Sequence, residues 1–174
     1  MDKSTQQHEA KNQASTTPDQ GIFSTEHTLF LGEYRHKVDE KGRLALPAKF
    51  RLGLQQGAVV TRGTDGCLHL FAIEQWKPLA DKLAQLPLYS NAKVRKLQRE
   101  VLGGATPVTP DRQGRILLPA NLREHVGLDS NTSAEMVVAG LSGRIEIWPA
   151  ERWKEAQQGT DLDEIGPELA DLGI

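Results

Sequence analysis

The chain repeats itself, and that constrains its folding more than any single motif in it. Val38 to Arg51 reads VDEKGRLALPAKFR, and Pro110 to Arg123 reads PDRQGRILLPANLR. At an offset of 72, seven of these 14 positions are identical: Asp39/Asp111, Gly42/Gly114, Arg43/Arg115, Leu46/Leu118, Pro47/Pro119, Ala48/Ala120 and Arg51/Arg123. Further on, an offset of 77 matches Gly66/Gly143, Glu74/Glu151, Trp76/Trp153 and Lys77/Lys154 around LHLF and IEIW. The five-residue difference belongs in a loop. A tandem duplication of this kind predicts two similar lobes related by a pseudo-two-fold.

Each copy reads the same way locally. Asp-Glu-Lys-Gly and Asp-Arg-Gln-Gly are turn chemistry: the Asp carboxylate accepts backbone N–H bonds two residues on, and Gly supplies the positive φ that closes a hairpin. Arg43 to Leu46 and Arg115 to Leu118 form the return arms, each ended by a Pro that suits the first turn of a helix. Short helices follow over Ala48 to Leu54 and Ala120 to Val126, the second with Gly127 placed to stop it. A further hairpin completes each copy: Ala58 to Thr61 with Cys67 to Phe71, and Glu135 to Ala139 with Arg144 to Trp148. Between the copies, Trp76, Leu79, Leu83 and Leu86 recur at helical steps. Asn91 to Leu102 does the same with Val94, Leu97 and Val101, and Gly103 ends it. The fold class is therefore α+β.

The 174 residues contain a single cysteine, Cys67, which excludes an intrachain disulfide framework and a cysteine zinc cluster and points to the cytoplasm. No apolar run is long enough for a membrane span, and the N-terminus lacks a signal-peptide core. Charge is informative once divided along the chain. Residues 1–31 sum to −2 and residues 155–174 to −6, whereas residues 32–103 sum to +6 and residues 104–154 to zero. That asymmetry points to an anionic partner for residues 32–103. The expected organisation is a polar, disordered arm over 1–29, a first repeat over 30–77, a helical connector over 78–103, a second repeat over 104–154 and an acidic tail over 155–174.

Asp-x-x-Gly-Arg, alternating apolar residues, then Pro-Ala-x-x-Arg resembles the AbrB-type swapped-hairpin fold. Two copies in one chain, the first opened by LGEYRHKVDEKGRLALPAKFR, are similar to the MraZ family from roughly Phe30 to Trp153. That resemblance implies a β-barrel-like core with pseudo-two-fold symmetry, short helices and a helical linker. It implies a bacterial transcriptional regulator of the division and cell wall gene cluster, assembled as a ring-shaped homo-oligomer on repeated sites upstream of its own operon, hence nucleoid-associated. Nothing is carried over to residues 1–29, because relatives begin near the position of Phe30 or Leu31.

Binding to double-stranded DNA asks for Arg and Lys on a rigid element that reaches phosphates and base edges. The first hairpin offers Arg35 and Lys37 on one strand face, Lys41 at the turn and Arg43 on the return arm. In the second hairpin the matching positions are Thr106, Val108, Gln113 and Arg115, so only Arg115 is basic. Asp39 and Asp111 read as braces of the turns, able to orient Arg43 and Arg115. Arg51 and Arg123 serve equally for ion pairs between lobes or subunits and for DNA, and Trp76 and Trp153 read as packing anchors. The rival reading is an oligomeric protein-interaction scaffold whose basic hairpin is only a solvated surface. An enzyme is not expected. His8, His27, His36, His69 and His125 show no metal-ligand spacing, no phosphate loop follows a strand, and Cys67 has no evident His partner beyond an approach by His69 or His36. No cofactor, metal or small-molecule substrate is expected.

Overall fold

Both Asp-x-x-Gly-Arg segments close hairpins by the same pair of backbone bonds. Asp39 N donates to Arg43 O at 2.9 Å and Gly42 N to Asp39 O at 2.8 Å; Asp111 N donates to Arg115 O at 2.8 Å and Gly114 N to Asp111 O at 2.8 Å. The glycines take φ of +80° and +74°, the left-handed conformation that puts a one-residue bulge after such a turn. The computed structural model describes residues 29–87, 89 and 91–158. All of the expected N-terminal arm but Leu29, and most of the acidic tail, lie outside that range.

From the N-terminal side the elements are β1 (Phe30–Val38), β2 (Arg43–Ala45), α1 (Ala48–Arg51) running into a 3-10 turn at Leu52–Leu54, β3 (Ala58–Arg62) and β4 (Leu68–Ala72). Then come α2 (Ile73–Ala84), α3 (Ala92–Val101), β5 (Thr106–Val108), β6 (Arg115–Leu117), α4 (Ala120–His125), β7 (Ala134–Ser142), β8 (Ile145–Pro149) and α5 (Ala150–Ala156). The prolines predicted to open helices stand just before α1 and α4. Gly127, at φ +74°, closes α4 with Leu128 N on Arg123 O and Gly127 N on Glu124 O, both 2.9 Å, which is a Schellman ending. The length difference between the repeats falls in the loop between α4 and β7.

The repeats do not stand as separate lobes. All eight strands share one antiparallel sheet in the order β5-β3-β4-β8-β7-β1-β2-β6. The first strand of each repeat pairs with the other repeat: β1 with β7 and β5 with β3. The two end strands, β5 and β6, are consecutive in the chain and joined by the Asp111 turn, so the sheet curls into a nearly closed barrel. Two rungs fix its symmetry. In the β2/β6 ladder Leu44 faces Ile116, its own repeat mate at offset 72, and in the β4/β8 ladder His69 faces Glu146, its mate at offset 77. A rung that pairs a residue with its own equivalent lies on the two-fold axis, so the pseudo-two-fold passes through both.

Leu44, Leu46, Ile116 and Leu118 are fully buried inside the barrel with Phe30, Val60, Leu70, Met136, Val138 and Ile145. Each such side chain contributes roughly 1.5–3 kcal/mol over its exposed state. A smaller outer core joins Cys67, Val137 and Trp148 to Ala150 and Trp153. Here the repeats match closely: ring centroids are 5.7 Å apart both for Phe71 with Trp76 and for Trp148 with Trp153. The two tryptophans anchor α2 and α5 to the sheet. Helix α3 is capped by Asn91, whose side chain accepts from Lys93 N at 2.8 Å, and held by Thr61 Oγ1 on Val101 O at 2.6 Å and by Gln98 Nε2 on Leu83 O at 2.7 Å. Among the described residues no helix is long and apolar enough to cross a membrane.

Candidate nucleic-acid interface

Strand alternation decides which hairpin residues face outward. On β1, Tyr34 and His36 lie half-buried toward the barrel interior, where the Tyr34 ring meets Phe50 edge-on, while Arg35 and Lys37 are exposed on the opposite face. On β2 and β6 the inward residues are Leu44 and Ile116. Arg43 pairs with Leu117 and Ala45 with Arg115, so all four point out together. The register thus gathers Arg35, Lys37, Arg43 and Arg115 on the continuous outer face of β1, β2 and β6, with exposed Lys41 at its rim.

The braces expected at Asp39 and Asp111 are present and nearly identical. Asp39 Oδ1 accepts the backbone N–H groups of Lys41 at 3.0 Å and Arg43 at 2.9 Å, and Oδ2 accepts Nε and Nη2 of Arg43, both at 2.7 Å. Asp111 Oδ1 accepts Gln113 N and Arg115 N at 2.9 Å, and Oδ2 accepts Nε of Arg115 at 2.9 Å and Nη2 at 2.8 Å. Arg43's side-chain and backbone hydrogen bonds hold the Asp39 carboxyl below its usual range. Backbone and then side-chain bonds from Arg115 do the same for Asp111. Each guanidinium is oriented by one edge and remains about a third exposed. An arginine pinned in this way loses less side-chain entropy on meeting a phosphate or a guanine edge.

Arg51 and Arg123, left open between ion pairing and DNA, have a third role. Arg51 donates through Nε to Leu46 O at 3.0 Å and packs against Gly114 of the opposite hairpin. Arg123 packs against Gly42 in the mirror arrangement, where an added Cβ would stand 3.0 Å from its Nε. Each repeat therefore lends one arginine to the other's turn. The last residue of Pro-Ala-x-x-Arg and the glycine of Asp-x-x-Gly-Arg are the two sides of one contact.

A family model described as "MraZ protein, putative antitoxin-like" matches residues 29–99 and 101–166. The chain belongs to the MraZ family. Similar proteins named "Transcriptional regulator MraZ" include one from Lachnoclostridium phytofermentans, 42% identical over 84% of this chain and 99% of its own length. Others are from Natranaerobius thermophilus, 41% identical over 84% of this chain and all of its own, and from Roseiflexus sp., 46% identical over 78% and 91%. The resemblance drawn from the paired motifs is thus confirmed. So is the MraZ-like fold, with two repeats sharing one barrel.

One exposed cation at the hairpins escapes the position-by-position comparison of repeats. Arg112 sits on the second turn where the first has Glu40, and it lines a depression of about 250 Å³ with Arg51, Gln55 and Asp111. Comparing only the positions that are basic in the first repeat passes over it. Because Arg51 and Arg123 exchange places one for one, it is Arg112 against Glu40 that makes the charge of the two turns more even than the positions basic in the first repeat suggest.

Proposed function

We propose that this member of the MraZ family is a transcriptional regulator that binds double-stranded DNA sequence-specifically through the outer face of β1, β2 and β6. Arg35, Lys37, Lys41, Arg43 and Arg115 are the contacting residues, and Asp39 and Asp111 position the two arginines. The observation that carries the reading is the β2/β6 register, which sets two carboxylate-braced arginines on one outward face beside a basic strand. The names of the relatives support the regulatory role. The resemblance adds the finer reading: a ring-shaped homo-oligomer in the cytoplasm, associated with the nucleoid, acting on repeated sites upstream of its own division and cell wall gene cluster. A ring presenting many copies of a modest site gains effective concentration on tandem DNA repeats.

The direct test is Arg43→Ala, read by mobility shift on the duplex upstream of the gene. One lost base or phosphate contact of about 1–3 kcal/mol predicts an affinity loss of roughly 5- to 150-fold per site, with oligomer size unchanged. Unchanged affinity would remove the hairpin from the interface and favour the scaffold reading.

A further inference from the structure

The second rung on the symmetry axis carries a different chemistry. Where β4 meets β8, the outer face holds Cys67 and His69 from the first repeat and their offset mates Arg144 and Glu146 from the second. Cys67 Sγ, a ring nitrogen of His69 and a carboxylate oxygen of Glu146 lie within 4.8 Å of one another. Cys67 is fully buried, Glu146 nearly so, and His69 Nε2 is shut off from solvent and makes no hydrogen bond. We propose that Cys67, His69 and Glu146 form a site for a zinc-like divalent cation that joins the two repeats at their axis.

The donor set is one that zinc takes: a thiolate, an imidazole and a carboxylate. His69 Nε2 stands 3.6 Å from Glu146 Oε1. Two ligands about 2.1 Å from a tetrahedral ion are roughly 3.4 Å apart, so the pair needs little movement. The carboxylate is already aimed. Trp148 Nε1 donates to Glu146 Oε2 at 3.0 Å and leaves Oε1 toward His69, the outer-shell arrangement that orients metal-binding carboxylates. Gly63 keeps the approach clear, since a Cβ there would come within 2.6 Å of Cys67 Sγ and 2.7 Å of His69 Cδ2.

Arg144 holds Oε1 through Nε at 3.0 Å and Nη2 at 2.8 Å. Its side chain is 40% exposed and free to turn to solvent when a cation takes that oxygen. Burial lowers the His69 pKa and so favours the imidazole with a lone pair to give, and together with Glu146 it pushes the Cys67 thiol up to about 12. Binding therefore exchanges the S–H bond for a sulfur–metal bond and sends the proton to solvent. The ligand spacing is invisible in either repeat alone, because the third ligand comes from the other copy.

The test is titration of the chelator-treated full chain with Co²⁺. With a single thiol per chain, a thiolate-to-cobalt charge-transfer band reports Cys67 alone. The proposal predicts that band at one ion per chain, its loss in Cys67→Ser, and weaker binding in His69→Ala and Glu146→Gln. Trp148→Phe, which keeps the ring but removes the N–H, should weaken binding roughly 10- to 100-fold. Absence of the band in the wild-type chain would overturn the proposal whatever the variants do, and so would an unchanged affinity in both His69→Ala and Glu146→Gln.

Discussion

Gly114 shows how much one residue of the motif carries. It is held at φ +74°, and a Cβ there would collide with the Arg51 guanidinium donated by the other repeat. Gly114→Ala is therefore expected to destabilise by about 1–2 kcal/mol from backbone conformation alone, with the displacement of Arg51 added. Gly143→Ala, where a Cβ meets open space, serves as the control. Denaturant melts of the two variants decide it, and equal midpoints would contradict the crowding. The aspartates give a second prediction. Both have folded pKa values below the ordinary 3.8, so the stability they contribute is present above that value and lost as pH falls through their lower folded values. Asp39→Asn and Asp111→Asn should flatten the acid limb of the stability curve, and acid titrations overlaying the parent chain would show that the braces contribute nothing. The turns, the braces and the repeat glycines were all legible in the sequence, because Asp, Gly and Arg within five positions act on one another locally. Arg112 was not, since its repeat mate is Glu40.

Among elements, the strands and helices could be read from the sequence, but their partners could not. Hairpin chemistry located β1 with β2, and periodicity located α2 and α3. Nothing local says that β1 lies along β7 or that β2 lies along β6, because those pairings join residues 70 to 112 positions apart and depend on the whole barrel. The cross-repeat seats of Arg51 and Arg123 were hidden for the same reason, and so were the candidate ligands on β4 and β8. The β2/β6 ladder is only three residues per strand, and its inward rung is Leu44 with Ile116, both fully buried. Leu44→Ala should cost about 2–5 kcal/mol and, by loosening the ladder that sets Arg43 and Arg115 diagonally on one face, weaken DNA binding as well. Thermal unfolding together with binding on the same sample tests this. A large loss of stability with unaltered DNA affinity would mean that the interface lies elsewhere.

At the scale of the whole molecule, duplication followed by interleaving yields one barrel with two differentiated axis rungs. The β2/β6 rung lies beneath an outward, cationic face, while the β4/β8 rung carries Cys67, His69 and Glu146 in a largely buried outer cluster with Arg144 at its edge. Charge asymmetry in the sequence pointed to an anionic partner, and the fold sets four of the cations of that stretch, Arg35, Lys37, Lys41 and Arg43, at one outer face with Arg115. The measurement that tests this most directly is fluorescence anisotropy of the full chain on the duplex upstream of its gene, against a scrambled duplex, over a salt series. Each phosphate neutralised should add about −0.9 to the slope of log K against log salt. The account predicts preference for the upstream duplex and a slope of several units that falls when Lys37 and Lys41 are replaced by Ala. Equal binding to both duplexes, or no binding at near-physiological salt, would contradict it.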